Sequence, residues 1–266
     1  MDLELSGKTA IVTGGSRGIG KAIARGLATE GVDVAITARG REALEATAKE
    51  LSEETGRRIV PIVADTRDDA AVEAMVEEAV GALGRVDILV NNAARVGGPS
   101  PVPKLADLTY EMLSDEVDTK VMGYIRCARE AAPHMRKQGW GRIINISGMA
   151  ARGTGTTIGS IRNVSVVAMT KNLADELGPD GINVTVVHPG TTRTERTPGV
   201  IAERARSEGI TEEEAERQMA QGNSTQRIVD AREIAYVVTF LASPKSVAIN
   251  GDVIAAGGGV GRAIHY

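Results

Sequence analysis

The sequence predicts one α/β domain, a doubly wound parallel sheet between two layers of helices (three-layer αβα). Three observations lead to this fold class. Short apolar runs alternate with longer amphipathic segments along the 266 residues. No linker or low-complexity tract divides the chain. Aromatic residues make up only 2%, so Val, Ile, Leu and Ala must fill the core, which suits helices packed closely on a buried parallel sheet.

The first four predicted elements surround a glycine-rich turn. Thr9–Val12 is a β-branched run that we predict to be a strand, and Ile19–Glu30 follows the turn as a helix. Val32–Thr37 is the second predicted strand. The charged, amphipathic segment Arg41–Thr55 is the second helix.

The same alternation continues through the middle of the chain. Ile59–Ala64 and Val86–Val90 are short apolar runs predicted as strands, with a helix at Asp69–Leu83 between them. Tyr110–Gln138 is predicted as one long helix that is bent or broken near its start.

The last elements complete the predicted sheet. We expect strands at Arg142–Ser147, Ile182–His188 and Asp252–Ala256, with helices at about Ile158–Leu177 and at Ala231–Leu241. Strands that alternate with helices in this way form parallel pairs with right-handed crossovers.

One long polar segment, Thr191–Arg227, interrupts the alternation of strands and helices. Together with the two residues that follow it, this segment covers about residues 191–229. Thr211 followed by Glu214 is a capping-box pattern that opens a short helix. Ligands of open α/β sheets bind beyond the carboxyl ends of the strands, so we predict that this insertion is a substrate lid. A solvated surface excursion is the alternative.

Charge and composition exclude several classes of function. Lys and Arg total 31 against 35 Asp and Glu, a formal charge of −4. Without a basic block, the chain is not expected to bind nucleic acid. The single cysteine, Cys127, leaves no disulfide framework, and no His, Cys and carboxylate cluster has metal-ligand spacing. No apolar run is long enough for a membrane span or a signal peptide, so we expect a cytoplasmic protein.

A glycine-rich turn follows the first predicted strand. It reads Thr13-Gly14-Gly15-Ser16-Arg17-Gly18-Ile19-Gly20. Glycines let backbone N–H groups approach a pyrophosphate, and the N-terminus of the next helix adds partial positive charge. The strand–turn–helix context indicates a Rossmann-type dinucleotide-binding turn rather than a tight turn alone.

This turn resembles the TGxxxGxG motif of the short-chain dehydrogenase/reductase family, and the resemblance extends over nearly the whole chain. Asn91-Asn92-Ala93-Ala94 is similar to the family's NNAG motif, and Pro189-Gly190 followed by Thr194 is similar to the segment that holds the nicotinamide end. Asp65-Thr66 resembles the adenine-contacting acid and its neighbour. The resemblance implies an oxidoreductase that binds a nicotinamide dinucleotide.

Charge at the end of the second strand favours NADP(H) over NAD(H). Ala38 stands where a carboxylate usually bonds the ribose 2′-hydroxyl, and Arg17 and Arg39 can grip a 2′-phosphate. A solvated surface position is the alternative for each arginine. The expected cofactor-binding residues are Gly14, Ser16, Arg17, Gly18, Ile19, Gly20, Arg39, Asp65, Thr66, Asn91, Ala93, Pro189, Gly190, Thr192 and Thr194.

The resemblance also implies four catalytic positions, occupied in the family by Tyr, Lys, Ser and Asn. With the register anchored on residues 168–171, which resemble ALTK, the Tyr position falls on Gly159 and the Lys position on Asn163. The Ser position falls on Gly148 and the Asn position on Lys120. All four therefore depart from the family.

Part of this conclusion does not depend on the register. No tyrosine lies between Tyr124 and Tyr236, and Lys171 is the one lysine between Lys137 and Lys245. A Tyr-x-x-x-Lys pair is thus absent from the predicted helix. A carbonyl reduction still needs a proton for the developing alkoxide.

Three residues are candidates to replace the missing acid. Lys120 is expected to point into the nicotinamide pocket from the long helix, unless it pairs with Asp118 or Glu116. Ser147 can donate to a substrate oxygen. Tyr266, with His265, can reach a site in a neighbouring subunit. Arg162 is expected to face the surface or a subunit contact.

Two functions remain open on these grounds. The first is an NADP(H)-binding oxidoreductase with a non-standard active site, acting on a carbonyl or alcohol. The alternative is a catalytically silent or non-redox homologue, for instance lyase-like or isomerase-like, on the same fold. Relatives usually pair their long helices, so a homotetramer or dimer is expected.

Overall fold

The computed structural model describes residues 1–94 and 102–261. Its centre is a seven-stranded sheet in the order β3-β2-β1-β4-β5-β6-β9, and every neighbouring pair runs parallel. The strands are β1 Thr9–Thr13, β2 Asp33–Ala38, β3 Ile59–Val63, β4 Ile88–Asn91, β5 Gly141–Ile146, β6 Ile182–Pro189 and β9 Val253–Ala256. The predicted α/β fold class, a doubly wound parallel sheet in three layers, is confirmed.

Helices cover both faces of this sheet. They are α1 Gly18–Thr29, α2 Arg41–Thr55, α3 Asp69–Leu83, α4 Tyr110–Glu116, α5 Gly123–Gln138, α6 Thr157–Leu177 and α9 Ala231–Ala242. One large buried cluster packs α1, α2 and α9 on one face, and a second packs α3, α5 and α6 on the other. Aliphatic residues dominate both clusters, because the chain has few rings with which to fill them.

A π-helical stretch, Val117–Met122, joins α4 to α5. The bend predicted near the start of the long helix therefore takes the form of a local change in winding rather than a break. Such π-bulges are rare and are frequent at functional sites. This one carries Lys120.

The segment at residues 191–229 folds beyond the carboxyl end of β6. It contains β7 Thr192–Arg193, α7 Thr197–Glu208, α8 Glu212–Ala220 and β8 Val229–Asp230, with β7 paired in parallel to β8. The capping pattern is confirmed, since the Thr211 side chain accepts from the Glu214 N–H. Helix α7 was not predicted, although Pro198 in its first turn is a usual helix-start signal.

Within the described residues, no helix is both long enough and apolar enough to cross a bilayer. No cluster of three or more His, Cys, Asp or Glu side chains suited to a metal ion occurs in this part of the chain either.

Candidate functional site

The glycine-rich turn lies at the carboxyl end of β1, where the sheet order reverses between β1 and β4. Open α/β sheets bind their ligands at such a switch point. A Cβ on Gly20 would lie 2.2 Å from the Gly14 carbonyl oxygen, and one on Gly14 would lie 2.9 Å from the Asn92 amide nitrogen. The turn therefore closes as tightly as it does only because both residues are glycine.

The NNA segment after β4 packs against this turn. Thr13 Oγ1 accepts hydrogen bonds from the backbone N–H groups of Asn92 and Ala93, at 2.9 and 3.0 Å. The Asn92 side chain donates to the carbonyls of Thr13 and Gly14. Asn91 is buried and donates to Asn145 Oδ1 at 2.9 Å. These contacts hold the glycine-rich turn and the loop after β4 against each other.

A carboxylate lies on the N-terminus of α1. The Glu195 side chain, from the segment at residues 191–229, accepts the Gly18 N–H with both oxygens, at 2.9 and 3.2 Å. The neighbouring Thr194 places its methyl 3.6 Å from the Cβ position of Gly18. The structure thus holds an anionic group where a helix N-terminus favours one.

The far end of the site carries two arginines. Arg17 and Arg39 are both exposed, and neither makes an ion pair within the described residues. Ala38 ends β2. Asp65 is held by Arg67 instead: although partial burial opposes ionisation, the Arg67 backbone N–H and guanidinium keep the pKa of Asp65 below its usual value.

The segment after β6, which leads into residues 191–229, borders the site on another side. Gly190 approaches Gly257, whose Cα would lie 2.8 Å from a Cβ at position 190. Thr192 Oγ1 donates to the Gly190 carbonyl at 2.9 Å, and the Thr194 N–H donates to Thr197 Oγ1 at 2.8 Å. Among the remaining predicted cofactor residues, Ser16 lies on the turn and Ile19 in the first turn of α1. Thr66, Ala93 and Pro189 lie at strand ends or in the loops that follow them.

Lys120 is the most unusual residue near these strand ends. Its side chain is buried, with 4% of the residue exposed. Its ammonium donates to the Ser147 carbonyl at 2.9 Å and to Asn163 Oδ1 at 3.1 Å. The alternative partners do not hold it, because Asp118 pairs with Arg126 and Glu116 pairs with Arg162.

Burial lowers the pKa of Lys120 to about 7, and the nearby Arg162 guanidinium adds to this effect while Glu116 opposes it. A lysine ordinarily titrates near 10.5. At neutral pH this amine therefore exists in both protonation states, which is the condition for general acid and general base chemistry.

Two of the other predicted catalytic positions, Asn163 and Gly148, lie near this amine. Asn163 Oδ1 accepts a hydrogen bond from the Lys120 ammonium. The Gly148 N–H donates to His188 Nδ1 at 3.3 Å. Burial, with Arg152 and Lys120 nearby, lowers the pKa of His188 to about 4, so His188 is a neutral acceptor. Ser147 donates its hydroxyl to the Asn163 carbonyl at 3.1 Å, so its proton is engaged with α6.

Gly159 lies in the first turn of α6, three residues after the N-cap residue Thr156. A Cβ at this position would lie 2.6 Å from Thr156 Cγ2, while Thr156 Oγ1 accepts the Gly159 N–H. A side chain at position 159 would therefore displace the cap. The short, Gly- and Thr-rich connection from β5 has taken the space that a larger residue would need.

Arg162 contradicts the prediction that it faces the surface or a subunit contact. Its guanidinium pairs with the buried Glu116 carboxylate and also donates to Asn163 Oδ1 at 3.3 Å. The prediction considered only its angle around the helix. The arginine side chain is long enough to fold back over the gap between α6 and α4.

Tyr266 and His265 lie outside the described residues. Cys127 is buried, and burial raises the pKa of its thiol to about 12, in keeping with an inert core position.

The family model described as enoyl-(acyl carrier protein) reductase matches residues 14–261. Among curated relatives, the short-chain reductase protein NovJ of Streptomyces niveus is 34% identical over 251 residues, covering 94% of this chain and 92% of NovJ. The chain belongs to the short-chain dehydrogenase/reductase family. The 3-oxoacyl-(acyl-carrier-protein) reductase FabG of Staphylococcus aureus is also 34% identical, covering 95% of this chain and 98% of FabG.

Solved short-chain dehydrogenase/reductase structures agree over the full length. L-sorbose reductase from Gluconobacter frateurii, complexed with NADPH and L-sorbose, superposes with a TM-score of 0.92 at 29% identity, covering 99% of this chain and 100% of that one. YwfH, an NADPH-dependent reductase involved in bacilysin biosynthesis, gives 0.87 at 28% identity, covering 97% and 99%.

Sequence reasoning missed two residues of this short-chain dehydrogenase/reductase site. Glu116 was considered only as a partner for Lys120, and its role opposite Arg162 had no local signal beyond the spacing. Glu195 follows Thr194 in a segment whose backbone path the sequence does not reveal. Both belong to contacts between elements far apart in the chain.

Proposed function

We propose that this protein is an NADP(H)-dependent reductase of a small or medium-sized carbonyl compound, in which Lys120 supplies the proton. The buried ammonium at the carboxyl end of β5 carries this proposal. It is a titratable donor with a pKa of about 7 beside a dinucleotide-binding turn. A buried lysine is costly to maintain, so a chemical role is the simplest reason for its presence.

The residues present fit a nicotinamide dinucleotide. Gly14 and Gly20 let the turn close tightly enough to bring its backbone N–H groups to the start of α1, and the Gly18 N–H there already binds an anionic oxygen. Arg17 and Arg39 would hold a 2′-phosphate, which no carboxylate at position 38 would repel. When bound, this group supplies the hydride.

The relatives support a carbonyl substrate. FabG is named for a 3-oxoacyl substrate and the Gluconobacter frateurii enzyme for L-sorbose. The lid at residues 191–229 would cover such a substrate, because it folds over the carboxyl end of β6. A homotetramer or dimer in the cytoplasm, formed by pairing of the long helices, completes the proposal. Exposed apolar residues on these helices support such pairing; they are Met122, Ile161 and Val164.

The family register gives the active site a simple interpretation. On that register, Lys120 stands at the Asn position and Asn163 at the Lys position, and their side chains are in contact at 3.1 Å. We propose that the two residue types have exchanged places. On this register one ammonium and one amide therefore remain in the pocket, although the family's Tyr and Ser positions are both occupied by glycine.

Lys120 would act as follows. In reduction, its ammonium gives a proton to the alkoxide oxygen that forms as the carbonyl carbon accepts the hydride. The amine left behind remains hydrogen-bonded to the Ser147 carbonyl and takes its next proton from solvent. Asn163 and Ser147 orient the ammonium, and His188, being neutral, accepts the Gly148 N–H without competing for the proton.

The test is NADPH consumption by the purified protein against a panel of ketoses, 3-oxoacyl thioesters and simple ketones. We expect turnover with at least one class. Lys120→Met should lower kcat about 100-fold or more, the usual contribution of a positioned acid. Lys171→Met, on the exposed side of α6, is the matched control and should keep the activity.

A second variant tests the exchanged pair. Lys120→Asn with Asn163→Lys returns the two residue types to the family arrangement and should recover part of the activity that Lys120→Asn alone loses. Tight NADPH binding without turnover of any carbonyl would instead favour the catalytically silent or non-redox alternative.

A further inference from the structure

A buried ion pair lies directly behind the proposed acid. Glu116, the last residue of α4, is 3% exposed, and it pairs with Arg162 of α6. One of its oxygens, Oε1, has no hydrogen-bond partner among the described residues. Burying such a pair is costly, and a carboxylate retained only for stability would normally have both oxygens satisfied.

The pair connects to Lys120 through one amide oxygen. Asn163 Oδ1 accepts from Arg162 Nε at 3.3 Å and from Lys120 Nζ at 3.1 Å. Because two cationic donors converge on it, the amide cannot turn its NH₂ group toward them without repulsion. The Asn163 Nδ2 group donates to the Gly148 carbonyl at 3.5 Å, so the amide is oriented by this contact, by Lys120 and by Arg162 together.

The same geometry controls the charge that Lys120 experiences. Arg162 and Glu116 face it from α6 and α4, and His188 and Tyr124 face it from β6 and α5. Of these, His188 is neutral and the buried Tyr124 hydroxyl donates to the Ile146 carbonyl, so it is neutral too. Arg152 also acts electrostatically on His188 and lowers its pKa. The sign of the local field therefore depends on how far Glu116 cancels Arg162.

We propose that Glu116 and Arg162 are positioning residues for the proposed acid: Arg162 helps to hold the Asn163 amide toward Lys120, and Glu116 cancels the guanidinium charge that faces the Lys120 ammonium. This inference rests on the proposed function for its catalytic meaning. Its electrostatic content concerns Lys120 alone and is measurable without turnover.

The experiment is an NMR titration of ¹³C-labelled lysine side chains, with the Lys120 signal assigned from its absence in Lys120→Met. Glu116→Gln leaves the guanidinium uncancelled, so we expect the pKa of Lys120 to fall by about one unit. Arg162→Met leaves the carboxylate facing the amine, so the pKa should rise by about as much. Asp175→Asn, an exposed change on α6, is the control and should not move it.

Since either single variant leaves an unpaired buried charge and can fail to fold, the double variant Glu116→Gln with Arg162→Met is the second measurement. It contains no unpaired charge. We expect its Lys120 pKa to return close to that of the wild type, while kcat falls at nearly constant KM because the Asn163 amide is no longer fixed.

The outcomes separate the two proposals. Opposite shifts in the single variants support the inference even if no carbonyl is turned over, a result that would count against the proposed function alone. Shifts in the same direction, or none, overturn the inference while leaving NADPH-dependent turnover untouched. A double variant with unchanged kcat removes the positioning role.

Discussion

Removing the Glu195 charge should strengthen cofactor binding. Both carboxylate oxygens lie on the Gly18 N–H, at 2.9 and 3.2 Å, at the start of α1. A dinucleotide pyrophosphate bound at this turn must displace the carboxylate and then lie close to its negative charge. Glu195→Gln keeps the size of the side chain and removes the competing anion.

The expected magnitude follows from the contact. A charge at a helix N-terminus is typically worth about 0.3–1 kcal/mol, and a hydrogen bond makes a net contribution of about 0.5–1.5 kcal/mol. Because Glu195 is exposed, the lower ends apply. Together they come to about 0.8 kcal/mol, which corresponds to an affinity for NADPH that is roughly fourfold tighter in Glu195→Gln.

Isothermal titration of the nucleotide-free protein with NADPH measures this change directly. Glu213→Gln is the matched control, because it removes one negative charge from the same lid at an exposed position away from the turn. Inorganic pyrophosphate should show the same gain as NADPH, whereas adenosine should show none. Unchanged or weaker NADPH binding by Glu195→Gln would refute the reasoning.

Four further predictions follow. Arg39→Ala should weaken NADPH binding about tenfold and leave NADH binding nearly unchanged, as titration with both nucleotides will show. For Lys120, with a pKa of about 7, kcat should fall with rising pH for reduction and rise for alcohol oxidation, so parallel profiles in both directions would contradict the assignment. Folding lowers the pKa of Lys120, so between pH 7 and its ordinary pKa near 10.5 the unfolded chain binds more protons than the folded chain. Burying the ammonium makes the wild type less stable than Lys120→Met at neutral pH. This difference in the free energy of unfolding, measured by chemical denaturation, should shrink as the pH rises through this range. Val164→Glu, at an exposed apolar position on α6, should lower the mass measured by light scattering, and a wild-type monomer at micromolar concentration would contradict the expected assembly.

The order of strands and helices was accessible from the sequence because it depends on local pattern. Each strand is a short apolar run, and the elements that pack on the sheet carry continuous apolar faces. The glycine turn was equally predictable, since the approach of Gly20 to Gly14 demands residues without side chains. The boundaries shifted by a residue or two, as at β9, which begins at Val253 rather than Asp252.

The contacts between buried polar side chains could not be predicted from the sequence in the same way. The partners of Arg162 depend on the packing of α6 against α4 and on the change in winding at Val117–Met122, and neither follows from a helical wheel. Glu195 is positioned by the path of the lid, where helix α7 was missed. Long side chains and long-range contacts decided these cases, and local periodicity carries no information about either.

The contact between Lys120 and Asn163 brings these points together. On the proposed register, two departures from the family pattern, taken separately, each predict a damaged site: a lysine where an amide is expected, and an amide where a lysine is expected. In the folded protein the two side chains meet at 3.1 Å, so on that register the charge and the amide are both retained, with their positions exchanged. The ammonium now comes from the π-helical stretch and is enclosed on several sides, which explains why burial lowers its pKa to about 7. On the proposed function, a lysine so perturbed no longer needs a tyrosine to act through, because it can itself gain and lose a proton near neutral pH. The glycines at positions 148 and 159 then follow from that change and do not show that the chemistry has been lost.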